Sequence, residues 1–188
     1  MDSRVPRMVV NVGLTVAVAL LPGLAVADGS WLDGPVTSWN RPGADIPTAP
    51  PMHASPNPQC SSQGRPAETD ADGAVAGAGW TLYGSYEGGW GVMVVRGLSG
   101  YDGMCRPLGY QEFVFADGNF AGTLAPGPMD SRTDGAGDLA RLQSRDQLQA
   151  SFQRYGPNDA LCCPSSTTSV SYSIDRSGAA PVLVPHQS

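Results

Sequence analysis

Apolar and polar residues alternate with a period of two through the central part of the chain, between Val75 and Ile174. This period is typical of β-strands, whose successive side chains point to opposite faces of a sheet. The runs are short and are interrupted by Gly, Pro and Asp, which favours many short strands. Residues 80–83 form one such run. In residues 92–95 the apolar side chains face both ways, which predicts a strand buried on both sides.

The clearest hairpin is predicted around the dipeptide Asp117-Gly118. These residue types tolerate the positive φ values that a tight two-residue turn requires. Strand-like segments flank the dipeptide at residues 111–116 and 119–124.

The register of this hairpin follows from counting back from the turn. Phe115 would face Phe120, and Phe113 would face Gly122. We therefore expect an aromatic ring to cover the bare glycine.

A second hairpin is predicted within residues 139–155, which contain no Gly or Pro and many helix formers. A helix would require apolar residues near positions 146 and 149, where Asp146 and Gln149 stand. A turn at residues 144–146 instead gathers the apolar side chains on one face of two strands. These side chains are Leu142 opposite Leu148, Ala140 opposite Ala150, and Phe152.

The fold class predicted from these patterns is mostly β. Val170, Tyr172 and Ile174 alternate in the last predicted strand. The expected architecture is a small antiparallel sheet or sandwich of roughly six to eight strands in a single domain at residues 73–176. Residues 177–188 are predicted to be a C-terminal tail, because the last eight residues have no period and contain two Pro.

The first 27 residues have the three zones of a secretory signal peptide. Arg4 and Arg7 precede an apolar stretch at residues 8–21, and Ala25 and Ala27 form a small-residue cleavage site. The apolar stretch is shorter than the roughly 20 residues that span a bilayer. We therefore expect a secreted or periplasmic protein with no stable membrane insertion after cleavage.

Residues 28–72 are predicted to be a Pro-rich leader, extended or disordered. Eight of the chain's 17 Pro lie there, with few periodic apolar positions between them. Trp31 and Trp39 also lie in the leader, where we expect them to touch the surface of the domain.

Composition excludes one class of partner. The net charge is −6, and all 11 basic residues are Arg, with no Lys. Nothing resembles a basic stripe that could neutralise a run of phosphates, so nucleic acid is not an expected partner.

Candidate catalytic and metal-binding chemistry is sparse. The histidines, His53 and His186, lie in the leader and the tail, where neither would be a rigid base for a nucleophile. The acidic turn that contains Asp134 resembles a calcium loop, but Arg132 stands where an oxygen ligand is needed. We expect a structural salt bridge from Arg132 to Asp134, and no metal or other cofactor.

Four cysteines in an exported chain predict disulfides, with three possible pairings. Joining Cys162 to Cys163 is disfavoured, because neighbouring Cα atoms lie about 3.8 Å apart and unstrained disulfides prefer roughly 4.4 to 6.8 Å. The favoured pairing joins Cys105 to Cys162 and Cys60 to Cys163. We interpret these bonds as structural rather than redox-active.

Several short segments together resemble the LppP/LprE lipoprotein family, over about residues 79–174. The resemblance implies an exported bacterial cell-envelope domain and no particular reaction. The lipid-modified Cys that the family's name suggests is absent from the cleavage site, since the first Cys is Cys60. The segments are residues 104–107, 113–115, 120–124, 131–135, 154–155 and 159–165.

Two function classes remain. The first is a non-catalytic module that binds an envelope protein or glycan through exposed aromatics, with Tyr83, Tyr86 and Trp90 as candidates. The second is an envelope hydrolase that uses carboxylates, or Arg154 and Tyr155; otherwise Arg154 is a structural polar residue. A pocket with converging polar side chains would favour the enzyme, and an aromatic surface would favour the binding module. We expect the binding module.

The purified mature protein should begin at Asp28 and carry no acyl chain, because the Ala-x-Ala site is present and no Cys adjoins it. Intact mass spectrometry tests both points. A retained leader or an added lipid mass would contradict the prediction.

Overall fold

The computed structural model describes residues 30–51, 58–130, 140–160 and 162–187. The predicted signal peptide, His53 and the Arg132–Asp134 turn lie outside the described residues. Helix α1 spans Asp70–Gly77, and short 3-10 helices lie at Trp31–Asp33 and Pro58–Gln63. The strands are β1 (Thr81–Leu82), β2 (Glu87–Gly89), β3 (Val92–Leu98), β4 (Gly100–Tyr101), β5 (Pro107–Leu108), β6 (Gln111–Ala116), β7 (Asn119–Thr123), β8 (Arg141–Ser144), β9 (Gln147–Arg154), β10 (Ser166–Asp175) and β11 (Val182–Gln187).

The strands form two main antiparallel sheets. The first sheet has the order β1-β3-β6-β7, and β2 pairs with the same edge of β3 as β1 does. The second sheet has the order β11-β10-β9-β8, and β4 and β5 form a small separate pair. The predicted mostly-β, antiparallel fold class is confirmed, although the eleven strands of the described residues exceed the expected six to eight, because several are only two or three residues long.

The two sheets pack face to face as a sandwich. Apolar side chains from both sheets share one buried core, in which Val94 and Val114 of the first sheet lie with Phe152 and Tyr172 of the second. The Tyr172 hydroxyl donates a hydrogen bond to the carbonyl oxygen of Leu124 at 2.5 Å. A buried tyrosine thus keeps its hydroxyl satisfied while its ring fills the space between the sheets.

The outer face of the first sheet is also covered. Phe113, Phe115 and Val95 pack there against Val75 of α1 and against Trp80. Every residue of β6 is therefore buried. The both-sided burial predicted for residues 92–95 is confirmed at Val92, Val94 and Val95.

The β6–β7 hairpin is confirmed, but part of its predicted register is wrong. Phe115 pairs with Phe120 as expected, and a bulge beyond this pair then shifts Phe113 opposite Thr123. Gly122 takes φ +144° in the bulge, a backbone conformation that residues other than glycine rarely adopt. The neighbour of this glycine is the side chain of Asn40, not an aromatic ring.

The β8–β9 hairpin is confirmed as well. Leu142 pairs with Leu148, and the turn lies at residues 145–146. Ala140, Ala150 and Phe152 are buried, as expected for residues that share the core face.

The Pro-rich leader lies on the domain between residues 30 and 51. The Asn40 side-chain amide donates to the carbonyl oxygens of Thr123 and Leu183 at 3.1 and 3.0 Å, and it accepts from the Thr123 N–H at 2.9 Å. Asn40 thereby joins β7 of the first sheet to β11 of the second. Trp31 contacts Trp39 and Phe152 edge-on, with ring centroids 5.2 Å apart in both pairs.

The C-terminal segment was expected to be a tail, and this expectation is wrong for β11. Six residues of β11 pair with β10, and Leu183 is fully buried. Pro185 is compatible with this strand because β11 lies at the edge of its sheet, where a missing N–H is tolerated.

The predicted boundary between leader and domain at residue 72 falls inside α1. Thr69 caps the helix by accepting from the Asp72 N–H at 3.1 Å, and the Asp72 carboxylate accepts in return from the Thr69 N–H at 3.2 Å. This reciprocal capping box is a local signal that the Pro-rich composition obscured.

The predicted disulfide pairing is also wrong. Cys60 bonds Cys105, with Cα atoms 5.1 Å apart, and Cys162 bonds Cys163. The leader folds onto the first sheet and brings the buried Cys60 to the loop after β4, whereas the exposed doublet lies between β9 and β10 of the second sheet. In the chain-entropy account, the 45-residue separation of Cys60 and Cys105 is worth about 4 kcal/mol.

Substitution at the Asn40–Gly122 contact tests whether the leader holds the two sheets together. Asn40→Ala should lower the free energy of unfolding by about 2 kcal/mol, because three hydrogen bonds are lost. Gly122→Ala should lower it by at least about 2 kcal/mol, because the new Cβ would lie 2.3 Å from Asn40 Cγ and φ is unfavourable. Urea unfolding measures both.

The double variant provides the sharper result. The clash requires the Asn40 side chain. The double variant should therefore lose about 1 kcal/mol less stability than the sum of the losses of the two single variants. Gly127→Ala is the matched control, with nothing within 4 Å of the new Cβ, and should leave stability unchanged. Full additivity of the two substitutions would contradict the contact.

Candidate functional site

A cleft of about 520 Å³ opens between the N-terminal turn of α1 and the hairpin formed by β2 and β3. We call it the α1–β2 cleft. Asp70 and Tyr86 form part of its wall, Met93 and Phe115 contribute apolar surface, and Gly88 and Gly89 leave backbone exposed along β2. An apolar and aromatic lining with a few polar groups is typical of small-ligand and peptide sites.

Trp90 stands at the tip of the hairpin beside this cleft. Its side chain is 60% exposed, the most exposed aromatic among the described residues. Trp90 and Gly91 form the two-residue turn, with φ values of 50° and 75°. Turns with two positive φ values favour Asn, Asp or Gly at the first position, so tryptophan is an unfavourable residue there.

The neighbouring hairpin provides an internal comparison. Its turn, Asp117 and Gly118, has nearly the same φ values of 49° and 79°. The Asp117 N–H donates to the Gly91 carbonyl oxygen at 2.7 Å, so the two turns lie side by side. One turn carries the residue that the backbone favours, and the other carries an exposed tryptophan.

Tyr86 is held in place by a chain of charged groups. Asp72 is fully buried and accepts from the Arg65 guanidinium at 2.9 and 2.5 Å. The same guanidinium lies over the Tyr86 ring, 5.5 Å from its centroid, in a cation–π contact. The capping residue Asp72 therefore fixes both α1 and, through Arg65, one wall of the cleft.

Burial by itself raises the pKa of Asp72, but the hydrogen bonds from Arg65 and from the backbone N–H of Glu68 outweigh it. The net effect holds the pKa of this carboxyl below its ordinary value of 3.8. The charged form of Asp72 is thus stabilised in the folded protein.

The three aromatics singled out by the sequence have different surroundings. Tyr86 lines the cleft, and Trp90 lies in the turn between the lining residues Gly89 and Gly91. Tyr83 is partly buried against the core, near the cross-strand ion pair of Arg96 and Glu112, and burial raises the pKa of its hydroxyl. Tyr83 is therefore not part of the same surface.

Of the polar candidates, Arg154, Tyr155 and His186 lie among the described residues, and none of these three lines the cleft. Arg154 forms a salt bridge with Asp33 at 2.7 Å, which attaches the leader to the second sheet. Asp130 accepts from the Gly109 N–H at 2.6 Å at a second, smaller cleft of about 300 Å³. His186 lies on β11, with Nε2 2.7 Å from the exposed Ser173 hydroxyl.

The described residues contain no group of three or more His, Cys, Asp or Glu side chains positioned to hold a metal ion. Sequence reasoning missed α1 and its residues Asp70 and Asp72, although the pattern Thr69-x-x-Asp72 is a recognisable capping signal. Within 30–51, 58–130, 140–160 and 162–187, no helix has the length and apolarity that a bilayer crossing requires.

Comparison with known proteins gives one family. The family described as LppP/LprE lipoprotein matches residues 92–177. The matched segment runs from β3 to just beyond β10, so it contains Met93 and Phe115 of the cleft, while α1, Tyr86 and Trp90 precede it. No curated protein and no solved structure matches the chain.

Replacement of Asp72 by Asn tests the charged wall. At pH 7 the variant should be less stable by about 3 kcal/mol, because Arg65 loses a buried partner. The lowered pKa of Asp72 means that this stabilisation is present above pH 3.8 and is lost as the pH falls further. Melting temperatures of the wild type and the variant should therefore converge in acid.

Asp70→Asn is the matched control, since Asp70 is exposed in the same helical turn. It should change stability by less than about 1 kcal/mol. A gap between wild type and Asp72→Asn that stays constant down to pH 2 would contradict the assignment.

Proposed function

The LppP/LprE lipoprotein family model matches residues 92–177, and on that basis we propose that the chain is a non-catalytic binding module of the cell envelope. We propose further that it is exported as a secreted or periplasmic protein and that the α1–β2 cleft binds a neutral glycan. The family match supports the cell-envelope assignment, and the cleft supports the ligand class.

The observation that carries the proposal is Trp90. Its backbone conformation favours another residue type, and its side chain gains little burial in return. Strain of this kind persists where it serves a site. Folding accounts for Asp117 in the equivalent turn but not for Trp90, so we assign the tryptophan to ligand contact.

The lining of the cleft suits a sugar ring. One face of a neutral pyranose presents C–H groups, which pack on an aromatic ring such as that of Tyr86 in the cleft, and the exposed Trp90 ring is available on the adjoining hairpin turn. The exposed backbone of Gly88 and Gly89 allows close approach, and the Asp70 carboxylate can accept hydrogen bonds from hydroxyls.

The same lining supports binding over hydrolysis. Glycoside hydrolysis normally uses two carboxyl groups that flank one bond. Asp70 is the one carboxylate among the described residues that line this cleft.

Titration with neutral hexasaccharides tests the proposal. The probes are the β-1,4-linked hexamers of glucose and of N-acetylglucosamine, and the readout is tryptophan fluorescence with calorimetry as confirmation. At least one probe should bind, and Trp90→Asn should weaken that binding about tenfold or more, which corresponds to a loss of about 1.4 kcal/mol.

Trp90→Asn also separates binding from folding. Asparagine suits the left-handed turn, so the variant should be as stable as the wild type or more stable by up to about 1 kcal/mol. Met104→Ala is the control, because Met104 is 73% exposed and lies in the loop between β4 and β5, outside the β2–β3 hairpin that borders the cleft. It should leave affinity unchanged.

Absence of binding by both hexamers, or binding that Trp90→Asn leaves intact, would contradict the glycan assignment. Capture of an envelope protein that depends on Trp90 and resists competition by saccharide would replace the glycan with a protein ligand at the same cleft.

A further inference from the structure

The loop between β9 and β10 carries a disulfide between adjacent residues, Cys162 and Cys163. Both side chains are exposed, and their Cα atoms lie 3.8 Å apart. The other disulfide is different, since Cys60 is fully buried and its bond to Cys105 joins segments 45 residues apart.

A bond between neighbours does little for the stability of the fold. A disulfide stabilises mainly by restricting the unfolded chain, and this effect depends on the length of the closed loop. Cys162 and Cys163 are already joined through a peptide bond, so their disulfide closes no further stretch of chain. Loop closure therefore gives the Cys162–Cys163 disulfide no stabilising role.

The loop has other contacts that hold it. The Asp159 carboxylate accepts from the Gly156 N–H at 2.6 Å and from the Ser165 N–H at 2.8 Å, which ties the two ends of the loop together. The Cys163 N–H donates to the carbonyl oxygen of Ala160 at 2.9 Å. The Asp159 contacts involve neither sulfur, so they can persist when the disulfide opens.

We propose that Cys162–Cys163 is a reversible thiol–disulfide exchange site that accepts two electrons from a dithiol. Exposure is the property that makes a disulfide open to attack by an external thiolate. This site lies outside the α1–β2 cleft and does not depend on the glycan assignment.

The exchange proceeds in two steps. One thiolate of the dithiol attacks the sulfur of one cysteine, the Cys162–Cys163 bond breaks, and the other cysteine leaves as a thiolate. The second thiolate of the dithiol then attacks the mixed disulfide and releases the first cysteine. The dithiol becomes a disulfide, and its two protons end on the two cysteine thiols.

The adjacency of the cysteines selects a dithiol over a monothiol. After the first attack, the released thiolate remains next to the mixed disulfide and recloses the original bond, which expels a monothiol. A dithiol competes because its second thiolate is also held at the mixed disulfide.

The test uses the mature protein and traps free thiols with iodoacetamide before peptide mapping. Reduction by dithiothreitol should make Cys162 and Cys163 reactive to iodoacetamide at a dithiothreitol concentration at least about tenfold below that needed for Cys60 and Cys105. Glutathione at equal thiol concentration should lead to far less iodoacetamide labelling of Cys162 and Cys163. A reduced oxidoreductase with a Cys-x-x-Cys dithiol forms a third arm, and faster labelling there than with dithiothreitol would identify a protein as the electron donor.

Two double variants provide the matched comparison. Cys162→Ser/Cys163→Ser should melt within about 2 °C of the wild type, whereas Cys60→Ser/Cys105→Ser should melt about 10 °C lower. The proposal is overturned if Cys60 and Cys105 are labelled as readily as the doublet. It is equally overturned if loss of the doublet lowers the melting temperature as much as loss of the other bond, or if mapping joins Cys162 to a cysteine other than Cys163.

Discussion

The hydrogen bonds of Asn40 are the interaction on which the arrangement of the two sheets depends. Strands at the edge of a sheet present unpaired N–H and C=O groups, and these must find partners where water is excluded. A side-chain amide has the same donor and acceptor as a peptide group, so Asn40 satisfies Thr123 and Leu183 together. Gly122 has no side chain in the space that Asn40 occupies. Through this contact, a segment with the composition of a linker becomes part of the sandwich.

The parts of the fold that local sequence determines were predictable. The Asp117-Gly118 turn and the alternation within residues 139–155 each specify a hairpin from a few neighbouring residues, and both hairpins form, the second with its turn at residues 145–146 rather than 144–146. The bulge in β7 was not predictable, because its surroundings include Asn40, which is 83 residues away from Thr123 along the chain. Pro185 favoured the prediction of a C-terminal tail. A strand can contain this proline only because β11 lies at the edge of its sheet, and the sequence alone does not show that position. The disulfide pairing was also not predictable from local sequence, because Cys60 reaches Cys105 only when the leader folds onto the first sheet.

The candidate site shows the same limit. Trp90 and Tyr86 were recognisable as aromatics among glycines, but Tyr83 differs from them because it packs against the core, which the local sequence does not show. One wall of the cleft comes from α1, which only its capping residues signal. Strain at Trp90 is a property of the backbone, and a sequence alone gives no φ value. The residue type could therefore be named, but the reason to single it out could not.

The contacts of Asn40 also constrain the order in which the chain folds. Asn40 is synthesised 143 residues before its partner Leu183. Contacts of such separation form late, because the entropy of closing the intervening chain must be overcome first. The hairpins can form as they are synthesised, whereas the hydrogen bond from Asn40 to Leu183 cannot form until β11 is present. The bridge that Asn40 makes between the two sheets can therefore be completed only after β11 has been synthesised.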